Sequence, residues 1–369
     1  MKEIMNKIGI KKIITIIVII IVIIILFMVG ALMYNKMFYK KSYAEIEKIM
    51  VDASKKYYDQ NKERLPQNEG EITSIEVNEL VKQNYMKNIN EYLKNDKEKC
   101  TGKVNITKIN NNYKHTPKLE CDNYKSKYIV EYIKENEKIV KTGDGLYELN
   151  SELVYRGENV NNYIKFANYN WRIVKIKDNK VKIILDEKIK EESAIEWDDR
   201  YNEDKESRIG INKYEVSRIK DYLNLLYNEK KLFTDEQKLL ISSTNAEIGK
   251  RSITDESKDG SAEKSNILSN QYITLLPAYD YLNASTDSNC KSLNNESCNN
   301  YNYLASNDYS WWLLTANASN TYEVYKYDWQ TINSSKASSS AKIKPVIVLT
   351  EDTFYVSGDG TKNNPYEIK

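Results

Sequence analysis

The sequence predicts an α+β protein in three parts: an N-terminal transmembrane helix, a small α+β unit behind it, and a larger mixed α+β distal domain. Three observations carry that prediction. Ile13 to Met33 holds no charged residue and is almost all Ile, Val, Leu, Phe or Met. Apolar residues then recur at helical spacing at Ile46, Ile49, Ala53 and Tyr57, ahead of a stretch bracketed by Cys100 and Cys121. Farther on, residues 171–186 place two β-branched runs around Asp178-Asn179, the pattern of a tight hairpin. The parts are assigned as residues 1–12, a basic cytoplasmic N-terminus; 13–33, the membrane helix; 34–142, the small unit; and 143–369, the distal domain.

The apolar run is the natural membrane partner, because at helical rise it spans about 30 Å, the depth of a bilayer's hydrocarbon. A cleavable signal peptide would have a shorter apolar region and a small-residue cut site, and Gly30 and Ala31 do not complete one. Lysines flank both ends: Lys2, Lys7, Lys11 and Lys12 before, Lys36, Lys40 and Lys41 after. Charge therefore barely orients the span. The cysteines decide it. All four follow the run, as Cys100, Cys121, Cys290 and Cys298, and an even number in two local pairs suits an oxidising compartment. The expected location is the cell membrane, single-pass, with the C-terminal domains extracellular.

Composition excludes a nucleic-acid partner. Lys+Arg 55 against Asp+Glu 53 leaves a net charge of +2, and the cations are almost all Lys. Abundant Lys, Asn, Ile and Tyr fit an AT-rich coding bias, so the 30 Tyr do not by themselves signal a binding surface.

Within the small unit, a hairpin folded about Asn110-Asn111 sets Cys100 opposite Cys121, where a cross-strand disulfide fits. The long helix ends before Pro66. Thr73 followed by Glu76 has capping-box spacing and predicts a short helix with Val77, Leu80 and Val81. His115, in a polar part of the hairpin, reads as a surface histidine. In the distal domain, Ile219, Leu223 and Leu226 predict a helix over 217–227, Thr234 caps another turn, and 252–265 reads as an exposed loop. Residues 275–282 are apolar around Pro277. Cys290 and Cys298 bracket an Asn/Ser-rich loop that a disulfide would clip, 334–340 is a Ser-rich turn, and 343–349 is an apolar strand.

No catalytic constellation is visible, and the expectation is a non-enzyme. There is no G-x-S-x-G, H-E-x-x-H or phosphate-binding glycine loop. Paired cysteines offer no free nucleophile, and Glu191-Glu192 and Asp198-Asp199 read as solvated charge. Aromatic residues are the better lead. Trp311 and Trp312 are consecutive, so on a strand they face opposite ways. With Tyr309 and Trp329 nearby they form a candidate stacking platform for a sugar or peptide, with core packing as the competing explanation. Asp359 in GDGT, like Asp144 in GDG, is a candidate Ca2+ ligand against the plainer reading of a turn. No other cofactor is implied.

Two sets of residues carry a family resemblance. The basic start, apolar span, long helix, ITSIEVNELVKQNYM and Cys-bracketed hairpin are similar to prepilin-like and pseudopilin-like proteins of Gram-positive bacteria, though the chain reads GIKKII where those proteins carry a G-F-T-L-I-E-type cleavage site. From about Gly143 onward, Gly145-Leu146-Tyr147, Tyr155-Arg156-Gly157, Trp171-Arg172-Ile173, Trp311-Trp312-Leu313, Lys344-Pro345-Val346 and Gly358-Asp359-Gly360-Thr361 resemble an uncharacterised domain of Gram-positive surface proteins. At fold level, a late W-L segment before a terminal apolar strand is similar to C-type-lectin-like proteins. The resemblance implies a membrane-anchored, extracytoplasmic binding or adhesion module that engages an extracellular glycan or peptide, or other envelope proteins. The alternative it leaves is a pseudopilin-like component of a secretion or DNA-uptake apparatus.

Overall fold

Ser42 opens the long helix of the N-terminal unit: its side chain accepts from the Glu45 amide while the Glu45 carboxylate accepts from the Ser42 amide. The helix runs Tyr43–Gln60 and buries Ile46, Met50, Ala53 and Tyr57 on one face. The structure, a computed structural model, describes residues 18, 20–28 and 40–369 apart from 94, 96, 110, 190, 191, 230, 231 and 306–308. The chain forms two compact units, Met1–Lys125 and Ser126–Lys369.

The transmembrane helix expected over Ile13 to Met33 is corrected. Among the described residues, no helix is long and apolar enough to cross a membrane. Residues 20–28 are helical and exposed. The remainder of that run, Val18 apart, lies outside the described residues.

In the first unit the helix lies on a four-stranded sheet in the order β1-β2-β3-β4, where β1 is Ile72–Glu76, β2 Cys100–Ile109, β3 Asn112–Cys121 and β4 Tyr124–Lys125. The β2–β3 register runs from Ile109↔Asn112 down to Cys100↔Cys121, and those two cysteines form a disulfide across a Cα–Cα distance of 4.1 Å. Val104, Ile106 and Leu119 meet the helix in the core. Gly102 permits the approach, since a Cβ there would lie 2.9 Å from the Met50 methyl.

Two expectations fail in this unit. Thr73 is no helix cap: it pairs with Ile106 in β1, and the helix runs Val77–Lys82 without a side-chain cap. A β-branched segment beside an open strand edge joins the sheet, whatever its local capping pattern. His115 is no surface histidine. Its Nδ1 lies 2.8 Å from the Oγ of Ser54, a buried hydroxyl on the long helix. Burial, reinforced by Lys55 and opposed by Asp59, pushes its pKa from the usual 6.5 down to about 4.

The second unit begins before the expected boundary at 142, because helix Ile129–Asn136 sinks Ile129, Val130 and Ile133 into the distal core. Its main sheet has nine strands. The order β11-β18-β9-β8-β7-β20-β19 runs across it, with β6 on the free part of β8 and β5 beyond. These are β5 Gly145–Leu149, β6 Glu152–Arg156, β7 Tyr163–Phe166, β8 Tyr169–Lys177, β9 Lys180–Leu185, β11 Ile241–Ser242, β18 Val346–Leu349, β19 Tyr355–Ser357 and β20 Tyr366–Ile368. The β8–β9 turn holds Asp178 and Asn179 at φ 51° and 56°, the left-handed values a two-residue hairpin loop requires. Helices Arg218–Asn228 and Asp235–Lys238 start at Ser217 and Thr234, both of which accept from a backbone amide as caps.

One buried ionic network ties the sheet to helix Ala278–Ala284. Lys175, from the middle of β8, lies 3.0 Å from Glu152, 3.1 Å from Asp280 and 2.8 Å from the Tyr279 hydroxyl. Lys182 reaches the other Asp280 oxygen at 2.9 Å. Burial disfavours the Lys175 charge, but Asp280 and then Glu152 outweigh it and raise its pKa. Asp280, desolvated yet held by Lys175 and Lys182, is lowered. The loop over 252–265 is not wholly exposed either. Its Glu263 is buried 3.1 Å from the buried guanidinium of Arg251.

Candidate ligand-binding surface

Strand β14, Trp311–Ala316, is buried along its whole length. Trp311 and Trp312 point to opposite faces and are both 0% exposed, so the layer is covered on each side. Trp312 donates through Nε1 to the Ile195 carbonyl at 3.0 Å. Trp311 stacks on Tyr327 with centroids 5.8 Å apart and packs 6.3 Å from Tyr281. The stacking platform expected at Trp311 and Trp312 is therefore corrected: both indoles are core. Tyr309 is half-buried, with the ammonium groups of Lys188 and Lys344 at 4.6 and 5.4 Å from its ring.

Trp329 is placed quite differently. Strands β15, Glu323–Tyr327, and β16, Ile332–Lys336, extend the β14 sheet, and their connection closes with Asp328 N to Thr331 O at 2.8 Å and Thr331 N to Asp328 O at 3.3 Å. Trp329 and Gln330 are the two residues between. They stand at φ 47° and 75°, positions usually filled by Asn and Gly. A left-handed residue other than glycine costs about 1–2 kcal/mol. Here the residue so held is an indole 68% exposed to solvent.

The sequence supplies the clamps that hold this tip. Gln330 N donates to the Tyr327 hydroxyl at 3.2 Å. The Asn299 amide donates to the Gln330 carbonyl and accepts from the Tyr281 hydroxyl. Ser310 donates to Asp328, which also pairs with Lys326 at 3.3 Å. Behind these clamps the Tyr327 ring stacks on Trp311 and lies 6.0 Å from Tyr281.

Asn299 directly follows Cys298, which closes the second disulfide loop, Cys290–Cys298, with Cα atoms 4.3 Å apart. Just beyond it, Tyr301 is 58% exposed and also left-handed, at φ 47°. Its carbonyl accepts from Thr286 N at 3.2 Å. The neighbouring Asn300 amide donates to Asp287 at 2.9 Å, and together with Asn289 N holds that carboxyl below its ordinary range. Two exposed aromatics on constrained backbone thus flank one hydrogen-bonded junction, Asn299 to Gln330. Sequence reading singled out Trp329 and missed Tyr301, Asn299 and Gln330. The one available signal was Trp-Gln standing as a two-residue loop between VYKYD and TIN.

Asp359 lies in an exposed turn. Its carboxylate accepts from Thr361 N at 3.0 Å, and hydrogen bonds from Thr361 and Asn364 lower its pKa. Gly358 and Gly360, at φ 92° and 77°, give the turn its shape. Asp144 likewise accepts from Asn159 N at 2.8 Å. Among the described residues, the group with donor atoms close enough for a metal is Glu98, Cys100 and Cys121, and its sulfurs are joined as a disulfide. Asp359 thus stands in a turn and accepts from one of that turn's own amides.

Residues 179–351 match the family model described as Domain of unknown function (DUF6273). The match opens in the β8–β9 turn, so it takes in the disulfide loop, the tryptophan core and the Trp329 hairpin. No curated protein and no solved structure gives a match.

Proposed function

We propose that this chain is a non-enzymatic binding or adhesion protein of the cell envelope, engaging a glycan or peptide through the Trp329–Tyr301 surface of its distal unit. The observation that carries the reading is Trp329: a large apolar ring held in water on backbone that costs energy to maintain. Strain of that kind persists where a function keeps it, and exposed, rigidly seated aromatics are what recognition surfaces use. Both disulfides support an oxidising, extracytoplasmic setting. The resemblance to surface proteins of Gram-positive bacteria points the same way. A pseudopilin-like subunit has less support, because the helix stripe at Ile46, Met50, Ala53 and Tyr57 is covered within its own unit.

The test is co-sedimentation of the full chain with purified Gram-positive cell walls. Trp329→Asn, which tolerates left-handed φ and leaves the fold intact, should lower the bound fraction at least tenfold. Equal binding by wild type and variant, or none by either, defeats the proposal.

A further inference from the structure

We propose that the folded distal unit joins its own Lys175 and Asp280 side chains by an amide bond, with Glu152 carrying the proton. The side chains of Lys175 and Asp280 are 5% and 3% exposed, and Nζ lies 3.1 Å from Oδ1. Glu152 Oε2 stands 3.0 Å from the same nitrogen. The Tyr279 hydroxyl, 2.8 Å away, accepts from Nζ and itself donates to Glu247. Lys182 holds the other Asp280 oxygen, Oδ2, at 2.9 Å. A simple ion pair needs one cation and one anion. Here an amine, a carboxyl group, a second carboxylate and a second cation converge on one buried point.

The step balances within those groups. One Nζ proton passes to Oδ1, leaving a neutral amine beside a carboxylic acid. The nitrogen lone pair forms a bond to Asp280 Cγ while Glu152 takes a second Nζ proton, and the carbonyl pair moves onto Oδ2, where Lys182 stabilises the charge. Glu152 then hands its proton to Oδ1, the Cγ–Oδ1 bond breaks, and water leaves. An ammonium and a carboxylate are consumed; an amide and one water are formed. Against burial, Asp280 and Glu152 favour the Lys175 charge, so the neutral reactant is scarce. A bond that forms once per molecule tolerates that scarcity, because fixed partners react at effective concentrations of about 10⁵–10⁸ M. The product is favoured in turn, since a neutral amide removes two charges that are costly to bury. Until it forms, the ion pairs alone join helix Ala278–Ala284 to β8, and that unlinked chain is the reference for substitutions at Lys175 or Asp280.

The test is the intact mass of the full chain, reduced to open both disulfides, followed by tandem mass spectrometry of its proteolytic fragments. The expected chain is lighter than its sequence by one water, and one fragment joins Lys175 to Asp280. Glu152→Gln, which keeps the shape of the side chain and takes up no proton, should lower the linked fraction at least tenfold at equal times after folding, with circular dichroism confirming the fold. A wild-type chain of full mass overturns the proposal. So does a lost water that maps elsewhere, as in a succinimide at Asp359-Gly360, or undiminished linkage in folded Glu152→Gln. If that variant does not fold, the wild-type mass and the linked fragment decide alone, and neither depends on binding to cell walls.

Discussion

Protonation of His115 should loosen the N-terminal unit at a pH where its carboxylates are still ionised. The chain has a single histidine, so its titration is unambiguous. In the folded unit the imidazole is held near pKa 4 by burial beside Ser54, against 6.5 in an open chain. A depressed folded value means that the unfolded chain takes the proton first as pH falls. The stabilisation is complete above about pH 6.5, is lost progressively toward pH 4, and then levels off. At 1.36 kcal/mol per unit, the full loss is about 3 kcal/mol, of which roughly 1.4 kcal/mol is gone by pH 5.5. The assay pairs an NMR titration of the imidazole Cε1 proton with hydrogen exchange of the β2 and β3 amides at pH 7 and 5.5. His115→Gln, which can still accept from Ser54, should flatten the pH dependence in that window. A measured pKa at or above 6.5, or an unchanged slope in His115→Gln, would refute the reasoning.

Four further outcomes follow from the packing. Trp312→Ala should cost about 3–5 kcal/mol, read by denaturant titration, since it empties a fully buried site; it tests the core assignment against a ligand-contact role. Trp329→Asn should leave thermal stability unchanged or raise it by about 1 kcal/mol, because the strained tip is relieved. Lys175→Met leaves Asp280 to Lys182 alone and Glu152 to Lys177 alone and should cost up to about 3 kcal/mol, with much of that recovered in Lys175→Met/Asp280→Asn. Reduction should destabilise the N-terminal unit by about 3 kcal/mol through Cys100–Cys121, separated by 21 residues, and the distal unit by slightly less through Cys290–Cys298, separated by 8; differential scanning calorimetry with and without reductant separates the two.

What the sequence disclosed was local. Asp178-Asn179 between two β-branched runs defines its own turn, and Thr234 is a cap whose partner lies three residues on. The Cys100–Cys121 hairpin follows from counting outward from its turn. Failures occur where a distant partner decides. Thr73 has the letters of a cap, but Ile106 on β2 recruits it into a sheet. His115 seemed unpartnered because Ser54 lies 61 residues away. Consecutive tryptophans on a strand leave open whether both faces are covered, and β14 turned out to lie between two layers.

The candidate surface shows why its most visible residues misled. Trp311 and Trp312 stand out as a pair because a core sandwiched on both faces needs bulk at consecutive positions. Function in this reading requires the opposite arrangement, one aromatic with nothing above it. A single exposed Trp is unremarkable in sequence and becomes informative only through its backbone, since a hairpin loop that prefers Asn-Gly has no folding reason to hold Trp-Gln. The stiffness beneath makes that choice tolerable. Helix Ala278–Ala284 fixes Tyr279 and Asp280 in the ionic network and, one residue on, aims the Tyr281 hydroxyl at Asn299. Asn299 then holds the carbonyl of Gln330. A buried charge network, costly by itself, so becomes the fixed end of a chain of contacts whose other end is a strained, solvent-facing ring.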